Sequence, residues 1–150
     1  GLSDGWEEFN NRDPNDGKLL FTFDCGGWQT EGWEGNPGLS NIAGFQGFLD
    51  FELPRGEGSI VRSGLDADFG KQGGVFTIDI RVSDSALVWL SFINGDGVTR
   101  KLPGPVALSA SSDFDTLKFQ LPKSGSVKAL RVDFSSDPGA LVEIDSMKAL

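Results

Sequence analysis

VFTIDIRVS (residues 75–83) and ALVWLSFIN (residues 86–94) are the two stretches of this sequence that decide its fold. In both stretches every second side chain is apolar over most of the run. This period of two is typical of a β-strand that buries one face, whereas an amphipathic helix would repeat every three to four residues. The two stretches therefore predict neighbouring strands rather than helices.

A tight turn follows the second stretch. Asn94-Gly95-Asp96-Gly97 supplies glycines for the positive φ angles that a short hairpin loop requires. Similar short apolar runs occur along most of the chain, separated by Gly, Pro, Asn and Ser. They predict further strands at 18–24, 39–43, 47–53, 59–63, 98–102, 106–110, 114–121, 127–135 and 141–150.

About ten short strands with turn residues between them favour an all-β fold, an antiparallel β-sandwich of the jelly-roll kind. Residues 1–17 are polar and predict an N-terminal extension or loop. Residues 26–37 are rich in glycine and also predict a loop. Residues 18–150 then form a single domain, because no interior linker or exact repeat interrupts them.

The alternation assigns one face of each long strand to the core. A slip of one residue would turn every one of these apolar side chains towards water, so the register is firmly set. The predicted core residues are Phe76, Ile78, Ile80, Val82, Val88, Leu90, Phe92, Leu117, Phe119, Leu121, Leu130, Val132 and Phe134.

Composition excludes several classes of function. The net charge of −9 disfavours nucleic acids and anionic membrane surfaces, since like charges repel. The chain has no His and one cysteine, Cys25, so it cannot build a Ser–His–Asp or Cys–His catalytic group or a cysteine metal site. No apolar run approaches the 20 residues or so of a membrane-spanning helix, and residues 1–10 contain no visible secretory signal.

The opposite face of the long strands carries the chemistry. If those strands share a sheet, one polar face surrounds the large ring of Trp89. An exposed aromatic ring beside planar polar groups is what a sugar needs, because sugars combine apolar C–H faces with hydroxyl rims. The residues of this face are Thr77, Asp79, Arg81, Trp89, Ser91, Thr116, Lys118, Gln120, Arg131 and Asp133. The alternative is that Trp89 packs under a loop and the charges form an ordinary solvated surface.

The glycine-rich loop offers a second place for a ligand. Trp28 is the better candidate there because Gly26, Gly27 and Gln29 flank it, whereas Trp33 is expected to cap the core. Trp6, in the polar N-terminal segment, could serve either purpose.

Arg62 follows another glycine-rich turn and could reach a ligand hydroxyl or carboxylate. Its alternative role is an ion pair with Glu57 or Asp66, which would contribute only about 0–1 kcal/mol.

Paired carboxylates give only a weak signal for catalysis. Asp50 and Glu52, or Asp66 and Asp68, stand at i and i+2, about 7 Å apart on one face of a strand. With 22 acidic residues such pairs are inevitable, and we expect no enzyme activity. A structural Ca²⁺ ion is a further possibility, held by Asp24 of the first strand and Asp145 of the last.

Three segments resemble a known family. They are LLFTFDCGGWQTEGWEGN (19–36), GFQGFLDFELPRGEGSIVRSG (44–64) and VKALRVDFSSDPGALVEIDSMKAL (127–150). Together they resemble the opening, central and closing motifs of bacterial carbohydrate-binding modules, jelly-roll domains of the galactose-binding-like superfamily. The resemblance covers residues 18–150, and its motifs are mostly structural.

The resemblance implies a role and a metal. An acidic residue of the last strand often helps to hold a structural Ca²⁺ in such modules, and Asp145 matches that position with Asp24 as a possible partner. Two departures concern the ligand site: residues 123–126 (KSGS) replace a frequent Trp, and Glu57-Gly58 replaces a frequent Asp-Pro.

The sequence thus predicts a non-catalytic carbohydrate-binding module, secreted or on the cell surface of a bacterium, with a polysaccharide or oligosaccharide as its partner. The alternative is a protein–protein or structural β-sandwich module of a larger surface protein.

Overall fold

The computed structural model describes residues 19–21, 23, 30–36, 39–45, 47–65, 67–68, 74–121 and 126–149. These residues contain thirteen strands and no helix, so none of their segments is a helix able to span a membrane. The strands are β1 Leu19–Phe21, β2 Trp33–Gly35, β3 Ser40–Phe45, β4 Phe48–Leu53, β5 Glu57–Arg62, β6 Ala67–Asp68, β7 Gly74–Val82, β8 Ala86–Asn94, β9 Thr99–Lys101, β10 Val106–Leu108, β11 Asp115–Leu121, β12 Ser126–Ser135 and β13 Ala140–Ala149.

The strands form two antiparallel sheets. Sheet I has the order β11-β7-β13-β4-β3, with β1 paired to β13. Sheet II has the order β10-β8-β12-β5-β2, with β6 paired to β12 and β9 paired to β8. The last three strands alternate between the sheets, as in a jelly roll. The predicted antiparallel β-sandwich is therefore confirmed.

The core lies between the two sheets. All thirteen predicted core residues are buried there. The ring of Phe51 in sheet I meets the ring of Phe134 in sheet II edge to face, with centroids 5.3 Å apart. Burying a side chain of this size stabilises the fold by about 1.5–3 kcal/mol in transfer terms, which fixes the inward face of each strand.

The hairpin predicted at residues 94–97 is also confirmed. Gly97 has a φ of +80°, and its N–H donates to the carbonyl of Asn94 at 2.9 Å. β9 then returns along β8, which places Lys101 opposite Ser91. This pairing matters below, because it brings a cation to the outer side of sheet II.

The predicted loop at 26–37 is wrong in part. Trp33–Gly35 forms β2, which pairs with β5, so backbone hydrogen bonding prevails there over the glycine-rich composition. Trp33 is 1% exposed and meets Phe21 edge to face at 5.5 Å, as expected of a residue that caps the core. The two-residue strand β6 was not predicted, because so short a segment has no detectable period.

Candidate functional site

The predicted polar face around Trp89 does not exist as one surface. β7 and β11 belong to sheet I, whereas β8 and β12 belong to sheet II, so their outward side chains lie on opposite sides of the sandwich. Asp79, Arg81, Lys118 and Gln120 fall on the first side, and Trp89, Ser91, Arg131 and Asp133 fall on the second. Alternation along a strand tells which side chains face the core, but it does not tell which sheet the strand joins.

We call the outer side of sheet I the paired face; it carries Phe48, Asp50, Asp79, Arg81, Thr116, Lys118, Gln120, Glu143 and Ser146. The guanidinium of Arg81 donates to both carboxylate oxygens of Glu143, from Nε at 3.0 Å and from Nη2 at 3.2 Å. Its third nitrogen donates to the carbonyl of Ser112 at 3.0 Å. The hydrogen bonds to Glu143 raise the pKa of Arg81 above its usual value.

Two aromatic rings enclose the same guanidinium. Its central carbon lies 4.5 Å from the centroid of the Phe114 ring and 5.3 Å from that of Phe48. Such cation–π contacts add to the bidentate ion pair and hold the guanidinium plane in place. Each of the three guanidinium nitrogens of Arg81 thus donates one hydrogen bond within the protein, so this side chain is held in place by the fold.

Four other polar side chains of this face, those of Asp79, Thr116, Gln120 and Ser146, also have hydrogen-bond partners. Thr116 donates to Asp79 at 2.6 Å, and Ser146 donates to the other oxygen of Asp79 at 3.2 Å. The amide of Gln120 donates to the carbonyl of Gly74 at 3.0 Å. Lys118 is exposed on the same face.

Asp50 lies next to Glu143 across the β4–β13 pair. Burial raises the pKa of Asp50, and the nearby charge of Glu143 raises it further. Glu52 stands on the same face beside Leu141. The second carboxylate pair includes Asp66, which lies outside the described residues.

Arg62 serves the fold in this structure. Its Nε donates to the carbonyl of Glu31 at 2.9 Å, and its Nη1 donates to the carbonyl of Ser63. The guanidinium carbon also lies 5.9 Å from the centroid of the Phe21 ring. These contacts tie β5 to the segment before β2 and use donors that a ligand would need.

The outer side of sheet II is shaped differently. An open groove of about 670 Å³ runs across it; we call it the groove, and its lining includes Asn36, Arg55, Glu57, Gly58, Ser59, Trp89, Ser91, Thr99, Lys101, Arg131, Asp133 and Ser135. Four strands contribute outward side chains to it. The cross-strand rows are Ser59–Asp133–Trp89 and Arg131–Ser91–Lys101.

Trp89 gives the groove an aromatic surface. Its side chain is only partly buried, so part of the indole can be reached from outside. The ammonium of Lys101 lies 5.1 Å from the centroid of this ring. Gly104 of the loop between β9 and β10 lies beside one edge of the ring, so Trp89 is partly covered by that loop and partly open to the groove.

A polar pair stands beside the ring. Nε of Arg131 donates to Oδ1 of Asp133 at 2.9 Å, and the two side chains are 47% and 25% exposed. An exposed pair of this kind contributes about 0–1 kcal/mol to folding. Its remaining donors and acceptors can therefore turn to a ligand at little cost in stability.

The floor of the groove contains a hydroxyl without a partner. Ser59 is 1% exposed, and within the described part of the chain its Oγ has no hydrogen-bond partner. The backbone of Ser59 is satisfied by Asn36, whose side chain accepts from its N–H at 3.3 Å. Because this oxygen is enclosed, it lies beneath the surface of the groove and not on it.

The sequence reasoning found Trp89, Ser91, Arg131 and Asp133, but it missed Ser59, Lys101, Arg55 and Glu57. Ser59 gives no signal, because a lone serine on a strand is usually solvated. Lys101 could have been placed from the Asn94–Gly97 hairpin, since its register sets β9 against β8. Arg55 stands at the turn between β4 and β5, and Glu57 is the first residue of β5. Their place in the groove depends on the pairing of β5 with β12.

Trp28 and Asp24 lie outside the described residues, as does Trp6. Their roles in ligand and calcium binding stay predictions. Asp145 lies at an irregularity of β13, near enough to Arg81 to raise the pKa of that guanidinium. In the described ranges no group of three or more His, Cys, Asp or Glu side chains could hold a metal ion.

The fold is similar to that of carbohydrate-binding modules in solved structures. A xylan-binding CBM22-1 domain of Paenibacillus barcinonensis Xyn10C has a TM-score of 0.59 at 16% identity, over 87% of this chain and 91% of that one. A CBM29-2 variant complexed with cellulohexaose has a TM-score of 0.58 at 16% identity, over 87% and 89%.

A further family 29 carbohydrate-binding module has a TM-score of 0.58 at 15% identity, over 87% of both chains. No protein-family profile and no curated protein sequence matches this chain. At these identities the likeness establishes the fold of a carbohydrate-binding module.

Proposed function

We propose that this chain is a non-catalytic carbohydrate-binding module of an exported protein, and that it binds a glycan in the groove on sheet II. The observation that carries the proposal is the accessible aromatic ring of Trp89 beside the partly exposed Arg131–Asp133 pair in one open groove. A sugar ring can place its C–H face on the indole and its hydroxyls against Arg131 and Asp133.

The similar folds support this reading. The CBM29-2 module is described with cellulohexaose and with mannohexaose, and the CBM22-1 domain as xylan-binding. CBM29-2 variants in work on ligand recognition replace an arginine or an aspartate two positions after it. Arg131 and Asp133 have the same spacing on β12, and both point into the groove.

Binding should be weak, in the micromolar to millimolar range. Few contacts are available, and each must replace hydrogen bonds between the sugar hydroxyls and water. The open shape of the groove fits part of a longer chain better than it encloses a small ligand.

Affinity gels with a panel of soluble polysaccharides, run with and without Ca²⁺, test the proposal. The wild-type protein should be retarded by at least one glycan, and Trp89→Ala should lose at least about tenfold in affinity, as expected for a central aromatic contact. Leu141→Ala is the matched control, because Leu141 is an apolar side chain 52% exposed on the outer side of sheet I.

Retardation of Trp89→Ala equal to that of the wild type would place the glycan elsewhere. A wild-type protein that no glycan retards would leave the protein–protein or structural module as the better account. The comparison of gels run with and without Ca²⁺ tests separately whether Asp24 and Asp145 hold a calcium ion.

A further inference from the structure

The charges of the groove differ in sign from the charge of the chain. The chain carries a net charge of −9, whereas the groove is lined by three cations and two anions. The cations are Arg55, Lys101 and Arg131, and the anions are Glu57 and Asp133. A net charge of +1 in the groove of so acidic a protein favours a negatively charged ligand over a neutral one.

Lys101 is the cation that a ligand would meet first. Its ammonium lies over the Trp89 ring, and within the described residues no carboxylate forms an ion pair with it. The neighbouring Arg100 is different, because it is paired with Asp96 at 3.0 Å. The hairpin therefore neutralises one of its two adjacent cations and leaves the other at the aromatic surface.

A neutral sugar and an acidic sugar would use this arrangement differently. A neutral ring that stacks on Trp89 has to displace an ammonium held by a cation–π contact of about 0.5–1 kcal/mol. A sugar with a carboxylate can stack on the indole and form a charge-assisted hydrogen bond with Lys101. The geometry therefore favours the acidic sugar.

Arg55 is the second groove cation without a described ion pair, and it also favours a negatively charged ligand. Arg55 is exposed at the β4–β5 turn and has no ion pair with any described carboxylate. Across the strand pairs, Glu57 aligns with Leu87 of β8, and Lys101 aligns with Ser91 of the same strand. Leu87 and Ser91 are about 13 Å apart along β8. Arg55 precedes Glu57 by two residues, so the groove carries cations at more than one place along its length, which suits an extended polyanion.

From these observations we infer that the ligand of the groove is an acidic glycan, a polysaccharide that contains uronic acid residues. This inference rests on the proposed function and names the class of glycan that the same site selects.

The experiment compares polygalacturonate with neutral glucomannan and xylan, in affinity gels and by calorimetry with their oligosaccharides. The variants are Lys101→Gln and, as the matched control, Lys118→Gln on the paired face. Wild-type protein should bind the galacturonate ligand more tightly than the neutral ones, and less tightly at high salt. Lys101→Gln should lose about tenfold in affinity for galacturonate, as loss of a charged hydrogen bond requires. It should bind neutral glycans about twofold to fivefold more tightly, because a neutral ring no longer has to displace the ammonium from Trp89.

Equal or tighter binding of neutral glycans by the wild type, with no effect of Lys101→Gln, would overturn the inference and leave the proposed function standing. Loss of galacturonate binding in Lys118→Gln as well would point to a diffuse charge effect and overturn it too. If no polysaccharide of either kind binds, the proposed function fails, and this inference fails with it.

Discussion

Two arginines on opposite sides of the sandwich show what the two faces offer. Arg81 has both oxygens of Glu143, a backbone carbonyl and two aromatic rings around it. Arg131 has one hydrogen bond to Asp133 and is about half exposed, in a groove that also contains Trp89. The same residue type thus stabilises the fold on one face and remains available to a partner on the other.

The contrast extends to the hydroxyls. On the paired face Thr116 and Ser146 both donate to Asp79, whereas in the groove the hydroxyl of Ser59 is buried without a described partner. Unsatisfied buried polar groups are rare in folded proteins, and each calls for an explanation. Nε1 of Trp33 in the core also has no described partner, so the buried Ser59 hydroxyl does not by itself mark a ligand site.

The largest expected effect comes from replacing Arg131. Arg131→Gln should weaken glycan binding about tenfold or more, because a charge-assisted hydrogen bond contributes about 1.5–3 kcal/mol. Its free energy of unfolding should change by less than about 1 kcal/mol, since the ion pair with Asp133 is largely exposed. Calorimetric titration and urea unfolding of the same preparation measure both quantities.

The same substitution on the paired face should have the reverse effect. Arg81→Gln should lower the melting temperature, because it leaves Glu143 without its bidentate partner and Phe48 and Phe114 without the guanidinium between them. Glycan affinity should stay at the wild-type value. A binding loss in Arg81→Gln as large as that in Arg131→Gln would remove the distinction between the faces.

A smaller effect is expected at Ser59. Ser59→Ala should change glycan affinity by less than about twofold, because the enclosed hydroxyl does not reach the surface of the groove and so offers a ligand no hydrogen bond. It should leave the protein equally stable or slightly more stable, because the variant buries no unpaired hydroxyl.

Ser146→Ala provides the matched control for that prediction. It removes a hydroxyl that does donate, to Asp79, so it should lower stability and leave binding unchanged. Destabilisation by Ser59→Ala with intact glycan affinity would mean that the Ser59 hydroxyl has a partner within the fold.

The smallest effect concerns Asp50 on the paired face. Its pKa is raised by burial and by Glu143, so the folded protein holds that proton more tightly than the unfolded chain does. Stability is then greater at low pH and falls as the pH rises through the raised pKa. Asp50→Asn should raise the melting temperature slightly at pH 7.

Melting curves between pH 3 and pH 8 check this prediction. The gain from Asp50→Asn should disappear as the pH falls below about 4, where the wild-type carboxyl is protonated in both states. Glu52→Gln, on the same strand and face, is the control. An equal gain at every pH would assign the effect to packing instead of charge.

The sequence was sufficient for the core and insufficient for the site. Alternation in β7, β8, β11 and β12 predicted which side chains are buried, because burial depends on the local period of two. The partition of those strands between two sheets depends on long-range pairing, which the period does not encode. Asp79 and Trp89 were therefore placed together although they lie on opposite sides of the domain.

Predicting the groove requires the strand pairings as well as the alternation of apolar and polar residues. Trp89, Arg131 and Asp133 stood out as residue types on an outward face, and the structure brings them together. Lys101 enters through the hairpin register and Ser59 through the pairing of β5 with β12. The unpaired state of the Ser59 hydroxyl is a property of its three-dimensional surroundings, so sequence reasoning had no means of finding it.

An NMR titration with an oligosaccharide that the protein binds tests most directly whether the groove is the binding surface. Our account predicts chemical-shift changes at the Trp89 indole N–H and at amides of β5, β8, β9 and β12, with those of β7 and β11 unmoved. Shifts concentrated around Arg81 and Lys118, with the Trp89 indole unchanged, would contradict it.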